Sequence, residues 1–250
     1  MTRIQHDARS RFYCAAVRVV LAENCDQSEA LPGSMTIQPD FSRNRKSCRL
    51  HPGGFVLLDF GRELAGGIRI VTGTSMNPQH RVRLRFGESV SECCGQPDND
   101  HGIHDGIYLV ANFGATEIGN TGFRFIRIDL PPDAETPLEL IGVAAVLLMH
   151  DLPHAGSFQS SDERLNLIWK TGVYTVQLNL QDYVYDGIKR DRLVWPGDLH
   201  PELRVAAAVF DDLTLFAKTM DFARDTTPLP ETMCDISSYS LWWIICQHDY

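Results

Sequence analysis

The stretch Asp186–Asp198 reads DGIKRDRLVWPGD and holds three carboxylates, three cations and one tryptophan. The acids are Asp186, Asp191 and Asp198, the bases are Lys189, Arg190 and Arg192, and the aromatic residue is Trp195. Cleavage of a glycoside needs a proton donor at the leaving oxygen and a carboxylate that activates water or attacks carbon. An aromatic plate suits the apolar face of a sugar ring, and arginines orient carboxylates through charge-assisted hydrogen bonds. The stretch therefore has the groups of a sugar site, and a solvated run of charge is the alternative interpretation.

Other chemistries find little support in the sequence. It has no GxSxG, HExxH or P-loop motif, and no GxGxxG followed by a suitable acid. The seven cysteines show no CxxC spacing, so we expect free thiols rather than a zinc site. The loop His101–Gly106 (HGIHDG) is expected to connect strands rather than to bind a metal. We therefore expect no metal and no cofactor.

Charge and hydropathy restrict the possible partners. The formal charge of −9 and the pI near 5.4 argue against nucleic acid or an anionic membrane as a partner. The sequence has no apolar run near the about 20 residues that span a bilayer. Phe12–Ala22 resembles the hydrophobic core of a signal peptide. Because Arg18 interrupts it and no small-residue cleavage site follows, we do not interpret it as one. The sequence assigns neither a compartment nor an oligomeric state.

The first part of the chain has the pattern of short strands. Six β-rich segments are separated by clusters of Gly, Pro, Asn and Asp: Gly54–Phe60, Gly66–Gly73, Arg81–Ser89, Gly106–Phe113, Gly122–Leu130 and Leu138–Met149. Alternating apolar and basic residues in Arg81–Phe86 and Phe123–Ile128 predict one buried and one wet face. The spacing predicts an antiparallel β-sandwich over residues 1–155, with residues 11–21 as a further edge strand.

The second part, residues 156–250, has helical spacing. Ser161 or Asp162 is a candidate N-cap for a first helix. A second helix is expected over Pro201–Asp225, with proline in its first turn, and a third from about Ser238. The charged stretch would connect the first two helices. The third helix carries an apolar stripe (Leu241, Trp242, Ile244 and Ile245), so we expect the chain to be a piece of a larger helical domain; a complete small bundle is the alternative.

These segments together resemble glycoside hydrolase family 78, the bacterial α-L-rhamnosidases. The family signature D-C-P-x-R-E-x-L-G-W-x-G-D aligns without gaps on residues 186–198. Gly156–Trp169 resembles the start of the family's helical barrel. Leu57–Ile70, Arg83–Ser89 and Gly122–Ile128 are similar to its β-sandwich. The resemblance covers about residues 50–250 and implies a β-sandwich followed by the first helices of an (α/α)6 six-hairpin barrel, apparently truncated.

The resemblance also implies roles for individual residues. Asp191 falls where the family places its general acid, and Asp186 and Asp198 fall on carboxylates that hold the rhamnose hydroxyls. Trp195 matches a tryptophan that lines the sugar pocket. Arg190 also matches the signature. His200 lies at the implied pocket rim, where sugar contact and a helix-start hydrogen bond are equal alternatives.

Glu202, four residues after Asp198, has no counterpart in the signature. It is expected on the first turn of the second helix and is a candidate substitute acid. Asp191 replaces the family's glutamate and is shorter by one methylene, which matters because proton transfer tolerates little misplacement. We expect carboxylate repulsion to raise the pKa of Asp191 and at least one of Arg190 and Arg192 to face elsewhere.

The implied reaction is inverting hydrolysis of a terminal α-L-rhamnoside. Inversion needs a second carboxylate on the opposite ring face, and the resemblance puts this base later in the barrel than Tyr250. We therefore expect the chain alone not to hydrolyse glycosides at a useful rate. A non-catalytic carbohydrate-binding protein or a degenerate glycosidase is the alternative, with the sandwich as the possible binding module.

Overall fold

The computed structural model describes residues 6–41, 46–95 and 104–250. The chain divides into two compact units, which are taken here one at a time. A β unit comprises Arg11–Leu147, and a helical unit comprises Leu148–Tyr250 together with Met1–Ser10. The sequence-based boundary between residues 155 and 156 stays a prediction.

The β unit is built on one hydrogen-bonded sheet of seven strands in the described residues. The strands are β1 (Ser10–Ala15), β2 (Arg18–Asp26), β3 (Cys48–Thr72), β4 (Gln79–Gly87), β5 (Asp105–Ala111), β6 (Ala115–Asp129) and β7 (Leu138–Met149). Their order is β1-β7-β3-β6-β4-β5, and β2 pairs with β3. The pairs β2–β3, β3–β6, β4–β5 and β4–β6 are antiparallel. A short helix, α1 (Val90–Cys94), follows β4.

The long strand β3 contains two segments that the sequence predicts as separate strands. Its pairing with β6 shifts between Asp59 and Leu64, where the chain passes through Gly61 at φ +81°. The Asp59 carboxylate accepts a hydrogen bond from the Gly61 amide at 2.7 Å, which holds this irregularity in place. The interruption is thus a bulge within a continuous strand, and the glycine-rich sequence signals the bulge rather than a strand end.

The predicted alternation of a buried and a wet face is observed only in part in β4 and β6, because Arg85 of β4, expected on the wet face, is 6% exposed. Val82, Leu84 and Phe86 of β4 are buried, and the arginines between them pair with aspartates. In β6 the consecutive residues Phe125 and Ile126 are both buried, because apolar residues are adjacent there instead of alternating. A single buried face is therefore the wrong description of β6.

The helical unit contains four helices in its described residues: α2 (Glu163–Asn179), α3 (Pro196–Val209), α4 (Thr214–Asp225) and α5 (Ser237–Asp249). Asp162 is the N-cap of α2, and its carboxylate accepts from the Arg164 amide at 2.9 Å, as the sequence predicts. The core of the unit is formed by apolar side chains of all four helices, among them Val176, Leu203, Phe216 and Cys246.

The predicted second helix is wrong in its start and its continuity. Helix α3 begins at Pro196 rather than at Pro201, because either proline satisfies the preference for proline at the first helical position. The helix ends at Val209, and α4 starts after Asp212, whose carboxylate accepts from the Thr214 amide at 2.8 Å. The N-cap of α4 is Leu213, and the Asp212 carboxylate before it bonds to the first amide of this separate helix.

Apolar side chains remain exposed on two helices. Leu165 and Ile168 of α2 are exposed, whereas Val173 and Val176 are buried, so apolar side chains of this helix are buried only in its second half. On α5, Leu241 and Ile244 are more than half exposed. In the described residues, no helix combines the length and apolar character needed to cross a membrane.

Candidate functional site: the carboxylate turn

The carboxylate turn, residues 186–198, is closed by two hydrogen bonds between its ends. The Asp186 amide donates to the Leu193 carbonyl at 3.1 Å, and the Leu193 amide donates to Asp186 Oδ1 at 2.9 Å. One oxygen of Asp186 is therefore committed to the backbone of the turn. Burial raises the pKa of Asp186, and the nearby carboxylates Asp191 and Asp198 raise it further.

Asp191 lies at the tip of the turn in an uncommon backbone conformation. Asp191 and Arg192 have φ of 57° and 53°, in the left-handed region that residues other than glycine seldom adopt. Strained backbone of this kind is found most often at functional sites. The Asp191 side chain is 40% exposed, and its Oδ1 lies 3.4 Å from Nε of the more exposed Arg190.

The two arginines of the turn point to different neighbours. Arg190 pairs with Asp191, whereas the Arg192 guanidinium lies over the ring of Tyr185, 5.9 Å from its centroid. The contact of Arg192 with Tyr185 is thus consistent with the prediction that at least one arginine faces away from Asp191. The predicted pKa increase of Asp191 stays a prediction.

Asp198 and Trp195 lie at the start of α3, where a tyrosine from α5 packs on them. Trp195 is the N-cap of α3 and Asp198 is in its first turn, so the end of the charged stretch is helical instead of interhelical. The Tyr239 ring meets Trp195 edge to face at 5.8 Å. A Cβ on Gly197 would lie 2.3 Å from the Tyr239 ring, so glycine is needed at this contact.

Tyr239 also interacts with the carboxylates of the turn. Burial raises the pKa of Tyr239, as do the nearby Asp198 charge and the hydrogen bond between the two side chains. Trp195 Nε1 is covered and has no hydrogen-bond partner among the described residues. An unsatisfied buried donor is uncommon in folded proteins, and a bound group commonly accounts for it.

Glu202 lies in the second turn of α3, one turn later than predicted. Its side chain is buried, with 9% exposure, and its Oε1 accepts from Nδ2 of Asn179 at 2.6 Å. Burial raises the pKa of Glu202 to about 8, because the hydrogen bond from Asn179 only partly offsets it and the charges of Asp198 and Asp186 add to it. Glu202 therefore carries its proton at neutral pH.

His200 is directed toward α5. Its Nε2 lies 3.1 Å from Asp249 Oδ2, and its ring lies 5.0 Å from the Trp242 ring at an interplanar angle of 32°. The hydrogen bond to Asp249 joins α3 to α5 and is not at a helix start, so both alternatives for His200 stay predictions. These contacts do not include any residue of the carboxylate turn.

The structure thus places four of the predicted carboxyl groups near enough for their charges to influence one another's pKa. Asp186 interacts with Asp191 and Asp198, and Glu202 interacts with Asp186 and Asp198. Because Asp198 and Glu202 are four residues apart on one helix, they lie on the same face. Two members of the site, Asn179 and Tyr239, are absent from the sequence-based prediction because they come from the far ends of α2 and α5.

The cluster is partly open to solvent, and an open cavity lies elsewhere in the helical unit. A cavity of about 660 Å³ is lined by residues that include Arg9, Asp182 and Lys218, and by none of the seven predicted site residues. Within residues 6–41, 46–95 and 104–250, no three His, Cys, Asp or Glu side chains are grouped as metal ligands would be. Three residues of the histidine-containing loop, 101–103, lie outside the described residues.

Comparison with known proteins relates these elements to one family. Residues 153–243 match the family model described as the bacterial alpha-L-rhamnosidase 6 hairpin glycosidase domain. An alpha-L-rhamnosidase from Formosa agariphila is 30% identical over 112 residues, which are 44% of this chain and 11% of that protein. In structure, the Klebsiella oxytoca rhamnosidase with rhamnose bound has a TM-score of 0.74 at 21% identity and covers 98% of this chain. A family 78 rhamnosidase of Bacillus sp. GL1 has a TM-score of 0.60 at 18% identity, covering 83% of this chain and 22% of that one.

These matches assign residues 153–243 to the six-hairpin glycosidase domain of bacterial alpha-L-rhamnosidases, and the two rhamnosidase structures share the fold of the chain. The predicted fold class, a β-rich domain followed by helices of a six-hairpin glycosidase domain, is confirmed. The chain spans 52% of the Klebsiella oxytoca chain and 11% of the Formosa agariphila protein.

Proposed function

We propose that the carboxylate turn binds a terminal α-L-rhamnosyl group and provides the acid side of an inverting glycoside hydrolysis. The observation that carries the proposal is the closed turn, in which Asp186 bonds to the Leu193 backbone and lies near enough to Asp191 and Asp198 for their charges to raise its pKa. Clustered carboxylates of this kind can accept hydrogen bonds from sugar hydroxyls and stabilise an oxocarbenium-like transition state. The matched relatives are named as rhamnosidases, and one of them is described with rhamnose bound.

Within this proposal, Asp191 is the general acid. It is 40% exposed at the tip of the turn, so a leaving oxygen can reach it from solvent. Arg190 orients this carboxylate, and Trp195 provides an aromatic face beside it. Asp186 and Asp198 bind hydroxyl groups of the sugar.

The same geometry leaves the base of an inverting reaction unassigned. Glu202 is the one further carboxyl that the described contacts couple to Asp186 and Asp198. It lies one helical turn from Asp198 on the same face, whereas inversion needs a carboxylate across the ring. We therefore propose that these residues alone support sugar binding and proton donation, with slow hydrolysis.

Calorimetric titration with L-rhamnose tests the binding part. We expect Asp186→Asn and Asp198→Asn to weaken the sugar affinity by about tenfold or more, because each removes a charged acceptor. Asp211→Asn is a matched control, since Asp211 is an exposed aspartate of the same unit. Equal affinity in all four proteins would rule out the turn as the binding site.

The role of Asp191 as general acid is tested with an added nucleophile that needs no base. With azide in place of a base-activated water, we expect 4-nitrophenyl α-L-rhamnoside to give the inverted glycosyl azide. Asp191→Asn should slow this reaction by about a hundredfold or more, since general acid catalysis contributes about 10²–10⁴. It should have little effect with a 2,4-dinitrophenyl leaving group, which needs no proton. Binding of rhamnose without any azide product would instead support a non-catalytic carbohydrate-binding protein.

A further inference from the structure

Glu202 occupies a position where the folding of α3 calls for an apolar residue. The buried side of the helix runs through Leu199, Leu203 and Ala206, and Glu202 lies in the same stripe. A buried carboxyl group is costly unless its environment satisfies it. The charged groups that face Glu202 are the carboxylates of Asp198, from α3, and Asp186, from the turn.

The hydrogen bond of Glu202 connects α3 to the end of α2. Its donor, Nδ2 of Asn179, belongs to the last residue of α2, which is itself buried with 8% exposure. The carbonyl of Asn179 accepts from the Tyr185 amide at 3.1 Å. Glu202 is therefore linked, through one side chain, to the backbone directly before Asp186.

Asp186 is in turn the residue that closes the carboxylate turn. Its amide and one carboxylate oxygen both bond to Leu193. A displacement of Asn179 would thus pass to Tyr185 and Asp186, and from there to the closure of the turn. The connection consists of consecutive hydrogen bonds between described residues.

We propose that Glu202 is a positioning residue of the carboxylate turn, whose buried carboxyl group holds Asn179 and thereby fixes the backbone that carries Asp186. Because it is uncharged, it places no third negative charge beside Asp186 and Asp198. Ionisation of Glu202 would add that charge and strain the link. The proposal depends on the proposed function only for what Asp186 does, because the link itself exists without sugar.

The raised pKa of Glu202 makes the proposal testable by pH. At about 8, this pKa lies above neutral pH, so the uncharged form can be compared with the ionised form in one protein. Glu202→Gln keeps the size and an acceptor oxygen for Asn179 but cannot ionise. Glu231→Gln makes the same chemical change at an exposed position and is the matched control.

The first experiment follows the backbone amide signals of Tyr185 and Leu193 by NMR between pH 6.5 and pH 9.5, without sugar. We expect both signals to shift in the native chain with a midpoint near pH 8, and equally in Glu231→Gln. In Glu202→Gln they should stay near their pH 6.5 positions. Asn179→Ala, which removes the donor, should also abolish the transition while Glu202 still titrates. Signals that do not move in the native chain, or that move equally in Glu202→Gln, would overturn the proposal.

The second experiment measures rhamnose affinity over the same pH range. We expect the native chain to lose about tenfold in affinity on ionisation of Glu202. Glu202→Gln should keep the same affinity at pH 6.5 and pH 9.5, within about threefold of the affinity of the native chain at pH 6.5. Loss of binding in folded Glu202→Gln at pH 6.5 would overturn the proposal and make Glu202 a direct sugar ligand. Amide transitions without rhamnose binding by any of the proteins would leave Glu202 as the positioning residue and refute the proposed function.

Discussion

Two covered carboxyl groups, one in each unit, show opposite acidities. Asp59 of the β unit is 1% exposed and Glu202 of the helical unit is 9% exposed. The pKa of Asp59 is lowered to about 2, whereas that of Glu202 is raised to about 8. Burial is therefore shared by the two groups, and their neighbours must account for the difference.

The neighbours of Asp59 are donors that favour its charge. Arg124 donates two hydrogen bonds, Arg18 donates one, and the Gly61 amide donates another. Glu202 has one neutral donor, Asn179, and two nearby carboxylates. Asp59 thus joins strands β2, β3 and β6 as an anion, while Glu202 remains neutral beside a set of anions. Of these two buried carboxyl groups, only Glu202, which has no cation among its described partners and a raised pKa, therefore points to a functional site.

The largest expected effect is on the pH dependence of stability in Glu202→Gln. Since the folded pKa lies above the ordinary value, the free energy of unfolding of the native chain falls as pH rises from about 4.5 to about 8. The replacement removes this loss. Between pH 4 and a pH above 8, the unfolding free energy of Glu202→Gln should therefore rise relative to that of the native chain by on the order of 4 kcal/mol. Urea unfolding at a series of pH values measures the difference. Parallel pH profiles for the two proteins would contradict a neutral Glu202.

Asp59→Asn should show the opposite pH dependence. Its folded pKa is lowered, so the stabilisation by Asp59 is present above about pH 4 and is lost as pH falls toward 2. At pH 7 we expect the replacement to cost about 2–3 kcal/mol, because it leaves the arginines without their anion. The two proteins should become similar near pH 2, and a constant difference down to that pH would count against an ionised Asp59.

The two arginines that contact Asp59 should contribute unequally. Arg124 is 38% exposed and donates two hydrogen bonds, whereas Arg18 is 64% exposed and donates one. We expect Arg124→Gln to cost about 1–2 kcal/mol and Arg18→Gln less than about 1 kcal/mol, since water screens the more exposed pair. Urea unfolding at pH 7 provides both values. Equal losses would show that exposure does not determine these contributions.

The smallest expected effect separates burial from repulsion at Glu202. Burial is the main cause of its raised pKa, and the charge of Asp198 is a lesser one. Asp198→Asn should therefore lower the pKa of Glu202 by only about half a unit, as read from the carboxyl carbon signal in an NMR titration. A return to the ordinary value of glutamate would instead make repulsion the main cause.

The sequence predicted elements better than their connections. The cap of α2 at Asp162 and the buried apolar face of β4 are local patterns, and both are observed, although Arg85 on the expected wet face is buried as well. Separate strands across Gly61 were wrong, because the Asp59 side chain maintains the strand through a bulge. A single helix to Asp225 was also wrong, because the Asp212 carboxylate bonds to the Thr214 amide and a second helix starts there.

For the site, the sequence located the carboxylates but not what supports them. The spacing of Asp186, Asp191 and Asp198 is local, so a short motif identifies them. Tyr239 reaches the turn from a distant part of the chain, and Asn179 joins α2 to Glu202 of α3, so both contacts depend on helix packing. The placement of Glu202 in the buried stripe of α3 could have been found from its spacing, if the helix had been started at Pro196.

A thiol beside the turn offers a way to observe it directly. Cys234 is the exposed one of the seven cysteines, all of which lie in the described residues. Its Sγ lies 3.8 Å from the carbonyl oxygen of Val194, the residue before Trp195. Burial of the sulfur and the neighbouring Asp235 raise the pKa of the thiol, so alkylation should proceed best in mildly alkaline buffer. A fluorophore coupled there would report sugar arrival as a change in its emission, without any engineered cysteine.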